Sequence, residues 1–179
     1  HDVRENINDG DLLAFNGSGL WGNLIKFRTA SRVTHVGYAT WFHGRLAVAE
    51  SRECRGVRLF PLSSYLRDGL DIDWYRTRHS TIFDPSDATR FVLSHWGEGY
   101  ASPYQFIRSW GIFYRHFCNI MRVPVDTNPK LWHCSELCMA ALQYAGYHGE
   151  GYDQEPAQTS PGDLVLLPCF NRRGKLQWG

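Results

Sequence analysis

The sequence has no long hydrophobic run and almost no excess of charge. Its longest uninterrupted apolar stretches, such as LVLLP, are far too short to cross a bilayer. The formal net charge is +1, with acidic and basic residues interspersed, which argues against a broad basic surface for nucleic acid. We therefore expect a soluble protein that binds no nucleic acid. The chain begins at His1 and not at methionine, which leaves open a removed leader and a periplasmic or secreted location.

The cysteines are neither dense nor regularly spaced. Five cysteines in 179 residues make an odd count without the pattern of a disulfide scaffold, so at least one thiol should be free. There is no C-x-x-C pair, and the HCSELC segment, which places His133 beside two thiols, matches no zinc-site spacing. The sequence therefore predicts neither a metal nor a cofactor.

Internal repeats and domain linkers are also lacking, and the length suits one domain with one core, over residues 1–179. The predicted elements are, in order, a strand at DLLAF, a helix at GLWGNLIKF, two strands at VTHVGYAT and RLAVAES joined by the turn WFHG, strands at GVRLF and LDIDWYR around a short helix at LSSYLRD, a helix after Asp84-Pro85, a helix at PYQFIRSWGIFYRHF, a helix from Cys134, and strands at GDLVLLP and KLQW. Strands cluster early and late, which predicts an α+β fold with a mainly antiparallel sheet and helices on one face.

The helix in LWHCSELCMAAL places a cysteine in its first turn. Apolar residues recur there at helical spacing, and Gly146 provides a stop. The free N–H groups and the dipole at a helix start lower the pKa of a thiol, which favours Cys134 as a reactive group. Cys138, one turn later, lacks this advantage and is predicted to be core; a buried, unreactive Cys134 is the alternative.

His35 is the histidine best placed to serve as a base for Cys134. Of the eight histidines, most lie in turns, termini or helical stripes. His133 is adjacent to Cys134, but consecutive residues of a helix do not face each other. His35 lies in a strand expected to line the sheet, where burying an imidazole costs free energy unless hydrogen-bond partners are present.

Glu50 is the predicted partner of His35. A four-residue loop over Trp41 to Gly44 places His35 opposite Glu50, and a two-residue His43-Gly44 turn places it opposite Arg52. Because side chains alternate with a period of two, both registers put Glu50 on the same face as His35. Arg52 is the competing partner for Glu50, in a plain ion pair.

Six segments resemble, in their order, the circularly permuted branch of the NlpC/P60 cysteine peptidases, the YiiX-like group of the papain-like superfamily. They are GDLLAF, SRVTHVGYAT, AVAES, SPYQF, HCSELC and PGDLVLLP, and they span most of the chain from Asp9 to Pro168. Histidine and acid precede the cysteine, the reverse of papain. The resemblance implies a permuted papain-like fold.

The resemblance also implies roles for individual residues. It makes Cys134 the nucleophile, His35 the base and Glu50 the orienting residue, the same trio that the helix and hairpin indicate. It adds Tyr104 of ASPYQF as a residue that borders the nucleophile and contacts substrate or oxyanion, and Ser135 of the CSE motif as a substrate-binding residue.

The sequence departs from the family pattern in its surroundings. Tyr100 is an alternative to Tyr104 for the tyrosine role. His133 adds a titratable group next to Cys134, and the insert between the hairpin and Tyr104 is rich in aromatic residues and arginine.

The predicted function is a cysteine-dependent amide hydrolase, a peptidase or amidase that acts through a thioester. The resemblance implies peptides or peptidoglycan fragments as substrates. One alternative is a lipid acyltransferase, thioesterase or esterase, because permuted relatives similar to lecithin:retinol acyltransferase keep the histidine-before-cysteine order. The aromatic residues suited to acyl chains equally suit an ordinary helix core, which is the more common case; they are Trp110, Phe113, Tyr114 and Phe117. Another alternative is an inactive peptide- or glycan-binding module. The sequence does not indicate an oligomeric state.

Overall fold

A six-stranded antiparallel sheet organises the chain. The computed structural model describes residues 3–17, 31–53, 55–78, 83–100 and 131–177. The elements in these ranges are a 3₁₀ helix Val3–Asn6, β1 Leu12–Phe15, β2 His35–Phe42, β3 Arg45–Arg52, β4 Gly56–Pro61, α1 Leu62–Arg67, β5 Ile72–Thr77, α2 Pro85–Ser94, β6 Gly99–Tyr100, β7 Leu131–Trp132, α3 Cys134–Tyr144, a 3₁₀ helix Pro156–Gln158, α4 Pro161–Leu164 and β8 Phe170–Leu176. The strand order in the sheet is β4-β3-β2-β1-β5-β8. The predicted α+β class with an antiparallel sheet is confirmed.

The β2–β3 hairpin has the shorter of the two predicted turns. His43 and Gly44 both have positive φ, 48° and 71°, and Phe42 pairs with Arg45. Two left-handed residues in succession give the turn whose twist matches that of the strands. The observed register therefore puts Glu50 on the face that carries His35, as both predicted registers require.

The two faces of the sheet bury two separate clusters. Leu12 and Ala14 of β1 pack with α2 and α3, whereas Leu13 and Phe15 pack with α1 on the other face. The residues of α1 that pack there are Leu62, Tyr65 and Leu66. The prediction that helices cover one face is therefore wrong. The apolar side chains of α1 recur at i, i+3 and i+4, and such a stripe is stable only when it is buried; here it is buried on the face of the sheet opposite α2 and α3.

Helix α3 is held against the sheet at its first turns. The Tyr38 hydroxyl donates to the Cys138 carbonyl oxygen at 2.9 Å, and the Ser51 hydroxyl donates to the Trp132 carbonyl oxygen at 2.7 Å. The predicted start at Cys134 is confirmed, and Gly146 follows the helix with a φ of 88°. These contacts place the start of α3 beside β2 and β3.

Two predicted elements differ from the structure. GDLVLLP is not a strand: Ser160 and Asp163 exchange hydrogen bonds at the start of α4, Pro161 occupies its first position, and Leu166 is left 80% exposed. The cap and the proline favour a helical turn over an extended run. The last strand begins at Phe170, earlier than KLQW predicts, and ends at Leu176.

The helices predicted at GLWGNLIKF and PYQFIRSWGIFYRHF lie outside the described residues. Among the helices that are described, none is long and apolar enough to span a membrane. The helix after Asp84-Pro85 is confirmed as α2, and the Asp84 carboxylate accepts the Ser86 N–H at 2.9 Å.

Candidate active site

Cys134, His35 and Glu50 meet where β2 begins. Cys134 comes from the helical layer, Glu50 lies on the opposite face of the sheet, and His35, the first residue of β2, connects them. The predicted trio is therefore in contact, although Cys134 lies about a hundred positions after His35 in the sequence. The roles of the three residues stay predictions.

The Cys134 thiol is 3% exposed and is surrounded by donors. It is hydrogen-bonded to His35, and the backbone N–H groups of Val36 and Ser135 donate to Sγ. Burial alone would raise the pKa of the thiol, but the positive imidazole and these donors lower it below its usual value. The site therefore favours a thiolate.

His35 is placed between an acid and a thiol. Its Nε2 lies 2.6 Å from Oε2 of Glu50, which leaves Nδ1 as the nitrogen available to Cys134. The ring packs against Phe15, with ring centroids 5.1 Å apart, and the side chain is 13% exposed. Burial alone would lower the pKa of His35, but the neighbouring thiolate and carboxylate raise it to about 9. The imidazole is therefore protonated at neutral pH.

Glu50 is fully buried and both of its carboxylate oxygens are engaged. Oε1 accepts the Arg58 Nε–H at 2.9 Å and the Tyr65 hydroxyl, and Arg58 Nη2 also donates to the Tyr65 oxygen at 2.6 Å. Burial opposes ionisation, yet the contacts with His35, Tyr65 and Arg52 lower the pKa of Glu50 to about 2. The carboxylate is thus fixed in position and in charge.

Arg52 is a third cation beside the Glu50 carboxylate, after His35 and Arg58. Its Nη1 lies 3.9 Å from Oε2 of Glu50, much farther than His35 Nε2. The competition for Glu50 that the sequence leaves open is therefore settled in favour of His35. Arg52 instead packs over aromatic rings, 5.0 Å from the ring of Tyr65 and 5.9 Å from that of Phe15.

Gly37 gives Glu50 room to reach His35. A Cβ at this position would lie 3.0 Å from Cβ of Glu50 and 2.7 Å from Cγ1 of Val48. Any side chain at Gly37 would thus press on the strand that carries Glu50. The glycine of the THVG segment has a steric function in the site.

The other described thiols and His133 have ordinary structural environments. Burial raises the pKa of Cys138 well above its usual range and that of Cys169 to about 12. His133 precedes α3 as its N-cap residue, and burial lowers its pKa to about 4, which keeps it neutral at pH 7. Cys54 and Cys118 lie outside the described residues.

Ser135 is the described member of the predicted substrate-binding pair. It is fully buried, its N–H donates to the Cys134 sulfur, and its hydroxyl has no hydrogen-bond partner among the residues that the structure describes. Its substrate-binding role stays a prediction. Tyr104 and the side chain of Tyr100, the alternative, lie outside the described part of the chain.

Sequence reasoning missed Arg58 and Tyr65. Arg58 lies directly opposite Glu50 in the β3–β4 register, a pairing that depends on the unknown length of the connection between these strands. Tyr65 reaches Glu50 from α1. The one available signal was the charge complementarity between AVAES and GVRLF, on adjacent strands.

Comparison with solved structures finds several chains of similar fold, and YiiX is one of them. The crystal structure of the metalloprotein YiiX from Escherichia coli O157:H7 superimposes with a TM-score of 0.68 and 16% sequence identity. The match covers 96% of this chain and 99% of YiiX. No family model and no curated protein matches the sequence. The chain is a single α+β domain similar in fold to YiiX, and at this identity the likeness concerns the fold.

Proposed function

We propose that this protein is a cysteine-dependent amide hydrolase in which Cys134 is the nucleophile, His35 the general acid and base, and Glu50 the orienting residue. The observation that carries the proposal is the buried contact chain from Glu50 through His35 to Cys134. A thiol beside an imidazole that a carboxylate holds from behind is the arrangement that nucleophilic catalysis by cysteine requires.

The reaction begins with the thiolate–imidazolium pair. The Cys134 sulfur attacks the amide carbonyl carbon, and the carbonyl π electrons move to oxygen, where backbone N–H groups at the start of α3 stabilise the negative charge. The C=O bond re-forms, the C–N bond breaks, and the leaving nitrogen takes the proton of His35. A thioester and a free amine result.

Water then completes the cycle. Neutral His35 takes a proton from water as its oxygen attacks the thioester carbon. Collapse of this second intermediate breaks the C–S bond and releases the acid, so the enzyme returns to thiolate and imidazolium. Glu50 stays ionised throughout and stabilises the charged imidazole.

YiiX is a metalloprotein, so the side chains of this site bear on whether a metal could bind here. No group of three or more His, Cys, Asp and Glu residues in the described ranges is arranged to hold a metal ion. The Glu50 oxygens are already engaged by His35, Arg58 and Tyr65. These residues do not fit a metal, and no step of the proposed reaction passes through one.

The proposed substrates are peptides or peptidoglycan-stem amides, which the resemblance of the ordered segments to the NlpC/P60 enzymes supports. The YiiX-like fold is consistent with this class. Incubation with stem peptides and with acyl esters, quenched in acid and followed by intact mass, should reveal an acyl adduct on Cys134, with release of the amine from the peptides or of the alcohol from the esters.

Two cysteine variants control this experiment. Cys134→Ala should lose both the adduct and turnover while keeping the fold, whereas Cys169→Ala should keep both, since the Cys169 thiol has a raised pKa. Turnover that survives in Cys134→Ala contradicts the proposal. Turnover of esters but not amides, with transfer to a second acceptor, would instead indicate an acyltransferase.

A further inference from the structure

Arg52 is a cation of the site that the proposed reaction does not use. Its Nη1 is buried, and no residue in the described ranges accepts a hydrogen bond from it. The nearest carboxylate oxygen, Oε2 of Glu50, lies 3.9 Å away and is already occupied by His35 at 2.6 Å. A buried guanidinium nitrogen without a hydrogen-bond partner costs free energy, and a ligand that accepts a hydrogen bond from the guanidinium would reduce this cost.

The charges around Arg52 are not balanced. The Cys134 thiolate is matched by the His35 imidazolium, and the Glu50 carboxylate by Arg58, at 2.9 Å. Arg52 is the remaining charge among these five side chains. The site in its resting state thus carries one surplus positive charge, which attracts an anion.

Arg52 is also held in place, and only part of its side chain is buried. Its guanidinium carbon lies over the rings of Tyr65 and Phe15, and Phe15 also packs against His35. Packing on aromatic rings leaves the N–H groups at the guanidinium edge free to bind. Because 33% of the Arg52 side chain is exposed, a ligand can approach this residue from solvent.

We infer that Arg52 forms a subsite for a carboxylate of the substrate, next to the reacting amide. The inference rests on the proposed function, which it deepens by naming a substrate class: amides that carry a free carboxylate near the scissile bond. A carboxylate fits because it is singly charged, as the imbalance requires, and because its two oxygens match the planar arginine fork.

Matched alkylating reagents test the subsite without knowledge of the natural substrate. One pair is iodoacetate and iodoacetamide; the other is N-iodoacetylglycine and its amide, which carries the carboxylate one peptide unit farther from the sulfur. Rates at Cys134 are measured by peptide mass spectrometry, and the acid-to-amide rate ratio is compared between variants. Any effect of a variant on the thiolate itself cancels in this ratio.

Arg52→Gln should lower the ratio roughly fivefold for at least one pair, the size expected of one charge at a partly exposed site. Arg52→Lys should retain most of the ratio, and added salt should lower the wild-type ratio toward that of Arg52→Gln. Arg55→Gln is the matched control, because it removes an exposed positive charge three positions along the chain and should leave the ratio unchanged.

The inference is overturned if Arg52→Gln, folded by circular dichroism, gives the wild-type ratio for both pairs, or if Arg55→Gln lowers the ratio equally. A separate reading tests the proposed function. If Cys134 reacts with iodoacetamide no faster than Cys169 does near pH 6, the nucleophile is wrong, whatever the ratio shows.

Discussion

Oε2 of Glu50 lies 2.6 Å from Nε2 of His35, although the two residues are not directly opposite each other in the β2–β3 ladder. The register continues from Tyr38 opposite Ala49, so Glu50 faces Gly37 and reaches His35 diagonally across it. The contact thus depends on strand register, on a missing side chain at Gly37 and on the partners that hold the carboxylate. Each of these dependences can be tested.

The first prediction concerns the pH dependence of Cys134. The His35 imidazolium and the backbone donors lower the pKa of the Cys134 thiol, so a thiolate persists below the usual thiol value of about 8.5. Iodoacetamide should therefore lose less of its alkylation rate at Cys134 than at an unperturbed thiol between pH 8 and pH 6, measured by peptide mass spectrometry. An unperturbed thiol loses about tenfold in rate for each pH unit in this range.

Amide turnover should follow a bell-shaped curve. The acid limb reflects protonation of the Cys134 thiolate, and the alkaline limb reflects loss of the His35 proton near pH 9. Above that pH the thiolate persists but the leaving amine receives no proton. An alkaline limb near pH 7 would show that Glu50 does not raise the pKa of His35.

The second prediction concerns Glu50→Gln. The glutamine amide can still accept a hydrogen bond from His35, but it carries no charge to stabilise the imidazolium. The alkaline limb of the turnover curve should therefore move to lower pH. It also leaves Arg58 without its buried counter-ion, which should cost about 3–5 kcal/mol in the free energy of unfolding by urea. Turnover should fall less than in Cys134→Ser, because Glu50 touches neither substrate nor sulfur.

Wild-type turnover in a folded Glu50→Gln variant would assign the orienting role to another residue. Glu53→Gln, at an exposed neighbouring carboxylate, is the matched control and should leave both the pH profile and the stability unchanged.

Part of the placement of the trio was predictable because it rests on local rules. The Cys134 helix start follows from apolar spacing, and the shared face of His35 and Glu50 follows from the period of two, which is the same for both turns considered. Predicting that His35 and Glu50 share a face requires no knowledge of the turn length. Predicting their contact with Cys134 requires in addition that α3 pack beside β2, which only the resemblance implied.

The surroundings of Glu50 could not be predicted in this way. Tyr65 lies on a helix that packs on the opposite face from α3, and a short amphipathic segment does not reveal which face it will cover. Likewise GDLVLLP is an apolar run of a length that suits a strand or a helix, and here the local cap of Ser160 decides the outcome. Contacts between elements that are distant in the sequence leave no periodic pattern of apolar residues from which they could be predicted.

The third prediction concerns Tyr65→Phe. This change keeps the ring that packs on Phe15 and Arg52 but removes the hydroxyl that donates to Glu50 and accepts from Arg58. Loss of one donor to a buried carboxylate should cost about 1–3 kcal/mol in urea unfolding. Tyr144→Phe, at a side chain 67% exposed, should cost less than about 0.5 kcal/mol. Equal costs for the two variants would show that the hydroxyl of Tyr65 does not stabilise the site.

The fourth prediction concerns stability against pH. The pKa of Glu50 is lowered from 4.5 to about 2, so its contribution is present above pH 4.5 and is lost as the pH falls toward 2. The pKa of His35 is raised from 6.5 to about 9, so its contribution is complete below pH 6.5 and is lost as the pH rises through 9. Urea unfolding should therefore give a greater loss of stability at both extremes for the wild type than for Glu50→Gln. Parallel curves for the two proteins would contradict these pKa shifts.

The fifth prediction concerns Gly37→Ala. The added Cβ would lie 2.7 Å from Cγ1 of Val48, 3.0 Å from the Ala49 carbonyl oxygen and 3.0 Å from Cβ of Glu50, so β2 and β3 must separate locally. Overpacking of this kind costs about 1–3 kcal/mol, and here it should also lengthen the contact between Glu50 and His35. The variant should lose stability in urea and show a lower alkaline pKa in its turnover profile.

The Val48→Ala change relieves the tightest of the three contacts, so combining it with Gly37→Ala should restore the profile more than the stability. A Gly37→Ala protein with the wild-type profile would show that the site does not depend on this glycine.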